Sequence, residues 1–590
     1  MLYPHPKEIM NFTESEKQSQ RENAKRLLEE LKKAQENGDT ELNIARGFYR
    51  FGDESAPRFL INGAENLNII GGDGVELLQE TRGTVVMLRG CKNVTLKGVK
   101  IDYTELSFVQ CTISGFNDVG EPIFTVDDNY KAFFEKYRAK LIGSRILYYD
   151  GNDPSLELVS SNTRGFVREI VDLEDGKYQI HYKGQITTML TPLVNYNIGD
   201  KLVMFCRGGD HAVAIEASEG VTLEDVDIYT SGAFGLSEHS CVGGNTYRRL
   251  RMIRRPNTDR LVCAPRDGFH SQNVKIGALI EECEFSYAED DLLNAHCFNG
   301  VITNIYSDDE YEVTFPLNAG LDANTDMVFV SRGEITPVKA VKVEKITDAD
   351  KIKEYEALHE SIKAKIDRSI RTFNTPNIYR VKIDKPLNVM LYDEVTSSGY
   401  SSAGLIIRNS YFHDAHCMAV IATGPNATVE NCRFERIGGT SVSLVRGGFW
   451  SEGPYPTHIS VKNNYFKDCA TAFEAQYRPG VITVQCDTKG LIHDVEIQNN
   501  EFINNRVGAL FAKNASRISF KNNRVDGFLK EKPFDEGVEI AKWNGDANSF
   551  CGIYFDGCDN VKIEGNTVTG GGEYSMEDIR ITDSCTNVQR

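Results

Sequence analysis

Asp267, Asp290 and Asp291 lie in two polar segments, Pro265-Arg266-Asp267-Gly268-Phe269-His270-Ser271 and Tyr287-Ala288-Glu289-Asp290-Asp291-Leu292-Leu293-Asn294-Ala295-His296-Cys297. Carboxyl groups crowded together cannot all ionise, so one keeps its proton near neutral pH while another stays charged. A retained proton beside a negative oxygen is an acid and a base side by side, the equipment of general acid/base catalysis. Asp-Gly and Asp-Asp pairs also mark ordinary turns. Turn chemistry alone, however, does not call for His270, Asn294 and His296 in the same two segments.

What brings the segments together is a repeat. An apolar, any, apolar, polar-polar pattern, often with Asn, recurs at Leu405–Phe412, Thr428–Phe434, Ser460–Phe466, Glu496–Phe502, Ser519–Val525 and Lys562–Val568, with earlier copies at Val94–Ile101, Val221–Ile228 and Leu279–Phe285. Equivalent apolar positions are 22 residues apart from Ile407 to Val429, 23 from Ile497 to Phe520 and 24 from Leu223 to Tyr247. That period, with alternating apolar positions, suits one coil of a parallel β-helix whose rungs stack about 4.8 Å apart. Leucine-rich repeats share the period, but a second strand-like run after each turn (Met418 to Ala422, Ala509 to Ala512) favours the β-helix. The Asn at the turn is expected both to take the left-handed conformation and to pair with its neighbour one rung on. Asp267 and Asp290, 23 residues apart, are then lateral neighbours. Strict strand alternation would send Asp290 and Asp291 to opposite faces, so a bend or bulge must lie there if both serve one site.

The expected organisation is all-β. Residues 1–40 form a capping helix, with a Thr13/Glu16 capping box, an apolar stripe (Ala24, Leu27, Leu28, Leu31, Ala34) and Gly38 as stop. Residues 41–105 are the first rungs, 106–207 a β-barrel-like insert, 208–299 the rungs with the aspartates, 300–398 a second such insert with a helix from Thr347 to Ile370, and 399–590 the last rungs. Glu238 and His239 are placed on the rung before Asp267. Together with His270, Asn294 and His296 they are candidate substrate contacts. Arg446, Trp450 and Glu452, in a Gly-rich loop, suit a ligand with an apolar face and hydroxyls.

Asp+Glu at 85 against Lys+Arg at 66 give a net charge of -19, which argues against nucleic acid or an acidic membrane surface as partner. No window of about 20 apolar residues occurs, and the first residues lack the order of an export signal. The expectation is a cytoplasmic protein, or a secreted one if a leader has been removed. The 14 Cys read as reduced core residues, for Cys91, Cys283, Cys432, Cys469 and Cys558 fall in apolar strand patterns. His413 and His416 have a short spacing that could recruit a metal, but their place on a strand or turn with Asp414 between them disfavours it, Gly71-Gly72-Asp73-Gly74 lacks the Lys-Ser/Thr of a phosphate loop, and no Gly-x-Ser-x-Gly elbow occurs. No metal or cofactor is expected.

The two Asp segments one rung apart resemble glycoside hydrolase family 110, inverting exo-α-1,3-galactosidases, and more distantly the β-helical polygalacturonases. The likeness covers about residues 40 to 590, with its specific part from Asp267 to His296; Arg266, where a small residue is common, and Leu292-Leu293 depart from the pattern. It implies a right-handed parallel β-helix interrupted by barrel inserts, a carbohydrate substrate ending in α-galactose, and a homodimer. By that resemblance Asp290 would be the general acid, while Asp267 and Asp291 would hold and deprotonate the attacking water across about 6.5–9.5 Å. A uronic-acid lyase or epimerase, which would want basic residues and often calcium, and a non-catalytic carbohydrate-binding β-helix are the rival readings.

Overall fold

The computed structural model describes residues 12–153, 165–182, 197–315, 319–354, 377–446, 451–471, 479–531 and 549–590. One apolar position stacks on itself from rung to rung. Ile69, Leu96, Leu223, Tyr247, Ile280, Ile407, Val429, Val461, Ile497, Phe520 and Ile563 are lateral partners in parallel register. All are buried and belong to one continuous core. The fold is a parallel β-helix, as the repeat leads one to expect. On a neighbouring position the rings of Phe285, Phe412, Phe434, Phe466 and Phe502 stack at centroid spacings of 5.5, 5.1, 4.8 and 4.8 Å.

The turn asparagines divide two tasks that the sequence reading gave to one residue. Asn409, Asn431, Asn463, Asn499 and Asn522 take the left-handed backbone conformation, with φ between 52° and 58°. The ladder is built by the residues after them. The Asn500 side-chain oxygen accepts from the backbone N–H of Asn464 at 2.9 Å, Asn523 accepts from Asn500 at 2.8 Å, and Asn566 accepts from Asn523 at 2.9 Å. Asn500 is 1% exposed, so Asn500→Ala strands its neighbours' polar groups away from water. The expected cost is about 1–3 kcal/mol for each stranded group, read as a lower midpoint in chemical denaturation.

Helix α1 (Glu14–Asn37) starts at a Thr13/Glu16 capping box and stops at Gly38 in the left-handed region. Its Ala24, Leu27 and Leu31 join the core of the first rungs, and Arg21 donates two hydrogen bonds to Glu80. None of the described helices is long and apolar enough to cross a membrane.

The lateral register steps over two long interruptions. Leu96 pairs directly with Leu223, and Ile280 directly with Ile407. The first interruption closes a barrel from the strands Phe108–Phe116, Pro122–Val126, Arg145–Tyr149, Gly165–Asp172, Lys177–Tyr182 and Lys201–Phe205. Numbered along the chain, its antiparallel neighbours run first, second, fifth, fourth, third, sixth and back to first. In the second interruption the outer half of Leu293–Ile305, with Glu310–Phe315, Asp326–Ser331, Glu334–Ile346, Asn377–Ile383 and Glu394–Thr396, closes in the same order. The helix expected from Thr347 to Ile370 falls mostly outside the described residues.

Buried charge holds the loop on which the first barrel rests, whose Leu261 and Val262 join the barrel's core. The Arg255 guanidinium donates to Asp102 at 2.8 Å and to Glu76 at 2.9 Å, and Arg260 donates to Asp102 at 2.7 and 3.0 Å. Beside them Gln110 of the barrel donates to the Asp259 carbonyl and accepts from the Leu261 N–H.

Candidate active site

Four strands of one parallel sheet carry the site: β1 (Leu236–His239), β2 (Phe269–Gln272), β3 (Leu293–Ile305) and β4 (Val420–Ala422). Strand alternation sorts their side chains. Leu236, Phe269, Leu293 and Val420 enter the core. Ser237, His270, Asn294 and Ile421 form the next lateral row, and His239, Gln272 and His296 a third on the same face. Between these rows lie Glu238 and Ser271, turned inward.

Glu238 is therefore not a substrate contact. Its buried carboxylate accepts hydrogen bonds from Asn245 at 2.7 Å, from Ser271 at 2.8 Å and from the Tyr247 hydroxyl. His239 keeps its place on the outward face, with burial lowering its pKa.

The register between β2 and β3 is 24 residues, from Phe269 to Leu293, and it continues upstream through the Ala264–Ala288 bridge and the Gly268 N–H donating to the Asp291 carbonyl. The residue lateral to Asp267 is thus Asp291, and Asp290 is lateral to Arg266, a correction of one position. A bend at Glu289–Asp290 overrides alternation. Carboxylate oxygens of Asp290 and Asp291 and the Cys417 sulfur lie within 4.8 Å of one another.

The sequence reading missed two residues that decide the electrostatics. Arg145 and Arg207 come from the first barrel, at the start of its third strand and just beyond its sixth. Arg145 stands 3.1 Å from Glu289 and 3.3 Å from Asp290. Arg207 is 2.9 Å from Asp290 and is hydrogen-bonded to Glu289. Burial pushes the Asp290 carboxyl up, but the charges of Arg145 and Arg207 outweigh it and hold the group below its usual range. Asp267 goes the other way: burial first, then the charges of Asp290 and Glu452, drive it well above the usual range.

With both neighbouring histidines neutral, hydrogen bonding leads to the same protonation. Burial lowers both His270, to about 4, and His296, so at neutral pH both rings are uncharged and each carries one N–H. The His296 Nδ1–H donates to the Cys297 carbonyl at 2.9 Å, which leaves its Nε2 as an acceptor. His270 Nε2–H fills that acceptor at 3.2 Å. His270 Nδ1 is then an acceptor too, and the 2.6 Å contact to Asp267 needs the proton on the carboxyl. At 3.7 Å Glu452 is too far from His296 Nε2 to compete for it.

Asn294 donates to Glu452 at 3.5 Å, so His270, Asn294, His296 and Glu452 gather around the aspartates. Phe234 stacks on His270 at 4.2 Å with the ring planes 1° apart. Arg446 is instead ion-paired with Glu394 of the second barrel, and Trp450 lies outside the described residues. Among the described residues two groups offer metal-type donors, but Asp290 is spoken for by two guanidiniums, and in the other, His458–His493–Asp494, both Asp494 oxygens accept from Arg517 at 2.6 and 2.8 Å.

Comparison with known proteins agrees with the β-helix fold. A family model described as a right-handed beta helix region matches residues 392–525. Alpha-1,3-galactosidase A of Bacteroides fragilis is 23% identical over 533 residues, covering 85% of this chain and 78% of that protein. Alpha-1,3-galactosidase B of Bacteroides thetaiotaomicron is 21% identical over 541 residues, covering 87% and 81%. The resemblance to family 110 holds. Among solved structures, the catalytic domain of a GH87 alpha-1,3-glucanase aligns with 95% of this chain and 66% of its own at 9% identity and a TM-score of 0.38.

Proposed function

We propose that the protein is an inverting exo-glycosidase that removes terminal α-1,3-linked galactose, with Asp290 as general acid and Asp267 and Asp291 as the groups that hold and deprotonate water. Similarity to the α-1,3-galactosidases along most of the chain supports the substrate. The single observation that carries the reaction is a cluster that drives two carboxyls apart, Asp290 clamped by the guanidiniums of Arg145 and Arg207 and held low, Asp267 raised by burial and by the charges of Asp290 and Glu452. In an inverting hydrolysis the acid gives its proton to the leaving oxygen, water adds to the anomeric carbon from the opposite face, and the base takes the proton that water loses. One turnover therefore leaves the base protonated and the acid charged. The opposed shifts of Asp267 and Asp290 favour the same arrangement before substrate binds. The cycle resets when one proton leaves Asp267 and one arrives on Asp290.

A uronic-acid lyase needs cations for the substrate's carboxylates; Arg145 and Arg207 are already engaged by Glu289 and Asp290, which favours a neutral sugar. The test is proton NMR of an α-1,3-linked digalactoside with the protein. The expected first product is β-galactose, which then mutarotates. Initial α-galactose would overturn inversion, and release from no α-galactoside would overturn the substrate assignment.

A further inference from the structure

The barrel that interrupts the early rungs reaches the acid/base cluster through two arginines. They do not merely pass by. Arg145 and Arg207 each touch both Glu289, which is 0% exposed, and Asp290, whose side chain is 25% exposed. They thus tie the Asp290 carboxylate to a fully buried partner carboxylate through two shared cations. Glu289 makes no hydrogen bond toward Asp267 or His270 among the described residues, so its place in the cluster is to hold the guanidiniums. On the far side, Asp267 is held by His270, His270 by His296, and His296 by the main-chain carbonyl of Cys297.

We propose that Arg145 and Arg207, acting from the barrel, are positioning residues that determine which of Asp267 and Asp290 carries the proton the pair shares, with the His270–His296 chain holding the other end. This rests on the reading of Asp267 and Asp290 as the acid/base pair. A guanidinium in contact favours the charged carboxylate, so the clamp opposes protonation of Asp290 while the tautomer-locked imidazoles favour protonation of Asp267. The productive arrangement, with the proton on Asp290, is then a minority form of the singly protonated pair. Its abundance is set by a domain outside the β-helix. Resetting after turnover is the transfer of one proton from the Asp267 carboxyl to the Asp290 carboxylate, directly through water or by exchange with solvent; no other bond changes.

The groups that face this pair are Arg145 and Arg207 from the barrel, Arg266 before β2, His270 on β2, Glu289 and Asp291 beside Asp290, Cys417 before β4, and Glu452. Removing Arg207 takes away the cation hydrogen-bonded to Asp290, which must raise that group's pKa. It also relaxes the weaker lowering that Arg207 exerts on Asp267. Both limbs of the pH profile of kcat/KM should move to higher pH, the acid limb more, by about 1–3 pH units. The Coulombic cause predicts partial restoration by lysine.

The experiment uses the full chain with Arg207→Gln and Arg207→Lys, and has two readouts. The first is carbon-13 NMR titration of the labelled aspartate carboxyls without substrate, with Asp290 assigned by its loss in Asp290→Asn. The second is the pH profile of galactose release. The expected result is an Asp290 titration displaced upward in Arg207→Gln, largely returned in Arg207→Lys, and an acid limb that follows it. An Asp290 titration unchanged in Arg207→Gln overturns the proposal, as does an upward shift that Arg207→Lys does not reverse. The NMR titration needs no turnover, so a protein that hydrolyses no galactoside would sink the proposed function while leaving the clamp to be judged by its own readout.

Discussion

Asp290→Asn is expected to slow hydrolysis of an α-1,3-linked digalactoside by about 10²–10⁴-fold, with far less loss on an aryl α-galactoside whose phenol leaves without a proton. The substitution keeps the size of the side chain, and Arg145 and Arg207 retain Glu289 as partner, so the fold should survive. Asp267→Asn should instead slow both substrates alike, because water must be deprotonated whatever the leaving group. Kinetics on the two substrates, variant by variant, make the comparison. If the pattern is exchanged, with Asp267→Asn spared on the aryl substrate, the resting proton on Asp267 is the one delivered and the two roles are the reverse of those proposed. The pH dependence has a definite sign. Activity falls at low pH as Asp290, held low by Arg145 and Arg207, takes up a second proton into the pair, and at high pH as Asp267, raised by burial, loses the last one.

The second large effect is on stability. Asp102→Ala should cost about 3–5 kcal/mol, because it leaves the nearly fully buried Arg260 uncompensated and Arg255 with Glu76 alone, in the loop against which the first barrel packs. Thermal and chemical denaturation of native and variant chains measure it. A loss below about 1 kcal/mol would mean the network contributes no more than a surface ion pair does. Burial raises the Asp102 pKa, yet Arg260 and Arg255 prevail and the net shift is downward. For a carboxyl whose folded-state pKa is depressed, the stabilisation is full above the unfolded value of about 3.9 and is lost as pH falls toward the lower folded value. The hold on the loop beneath the barrel is therefore expected to weaken only in strong acid.

The parts of the molecule legible in the sequence are those governed by local pattern. The stacked row from Leu96 to Ile563 could be read because each rung repeats the same apolar spacing. The Asp clusters could be read because polar residues interrupt that spacing. The offset of 24 was also available, since it aligns Phe269 with Leu293 and His270 with Asn294, but matching Asp to Asp suggested 23. Glu238 was misjudged for a related reason: alternation from the core residue Leu236 turns it inward, whereas it had been placed by its chemical type. Arg145 and Arg207 carried no such signal. They lie more than 80 positions from Glu289 and reach it only because a barrel folds back over the rungs, and nothing local distinguishes them from other arginines of that barrel.

The two barrels share one strand order, and in both the first and last strands are neighbours. A segment built that way leaves and rejoins its host at a single point, so the coil on either side keeps its pitch whether the segment is present or not. Two such segments of one topology are each seated between consecutive rungs. The first carries arginines to the candidate site and the second a glutamate that holds Arg446. Such a segment can change in length and composition at little cost to the coil that holds it.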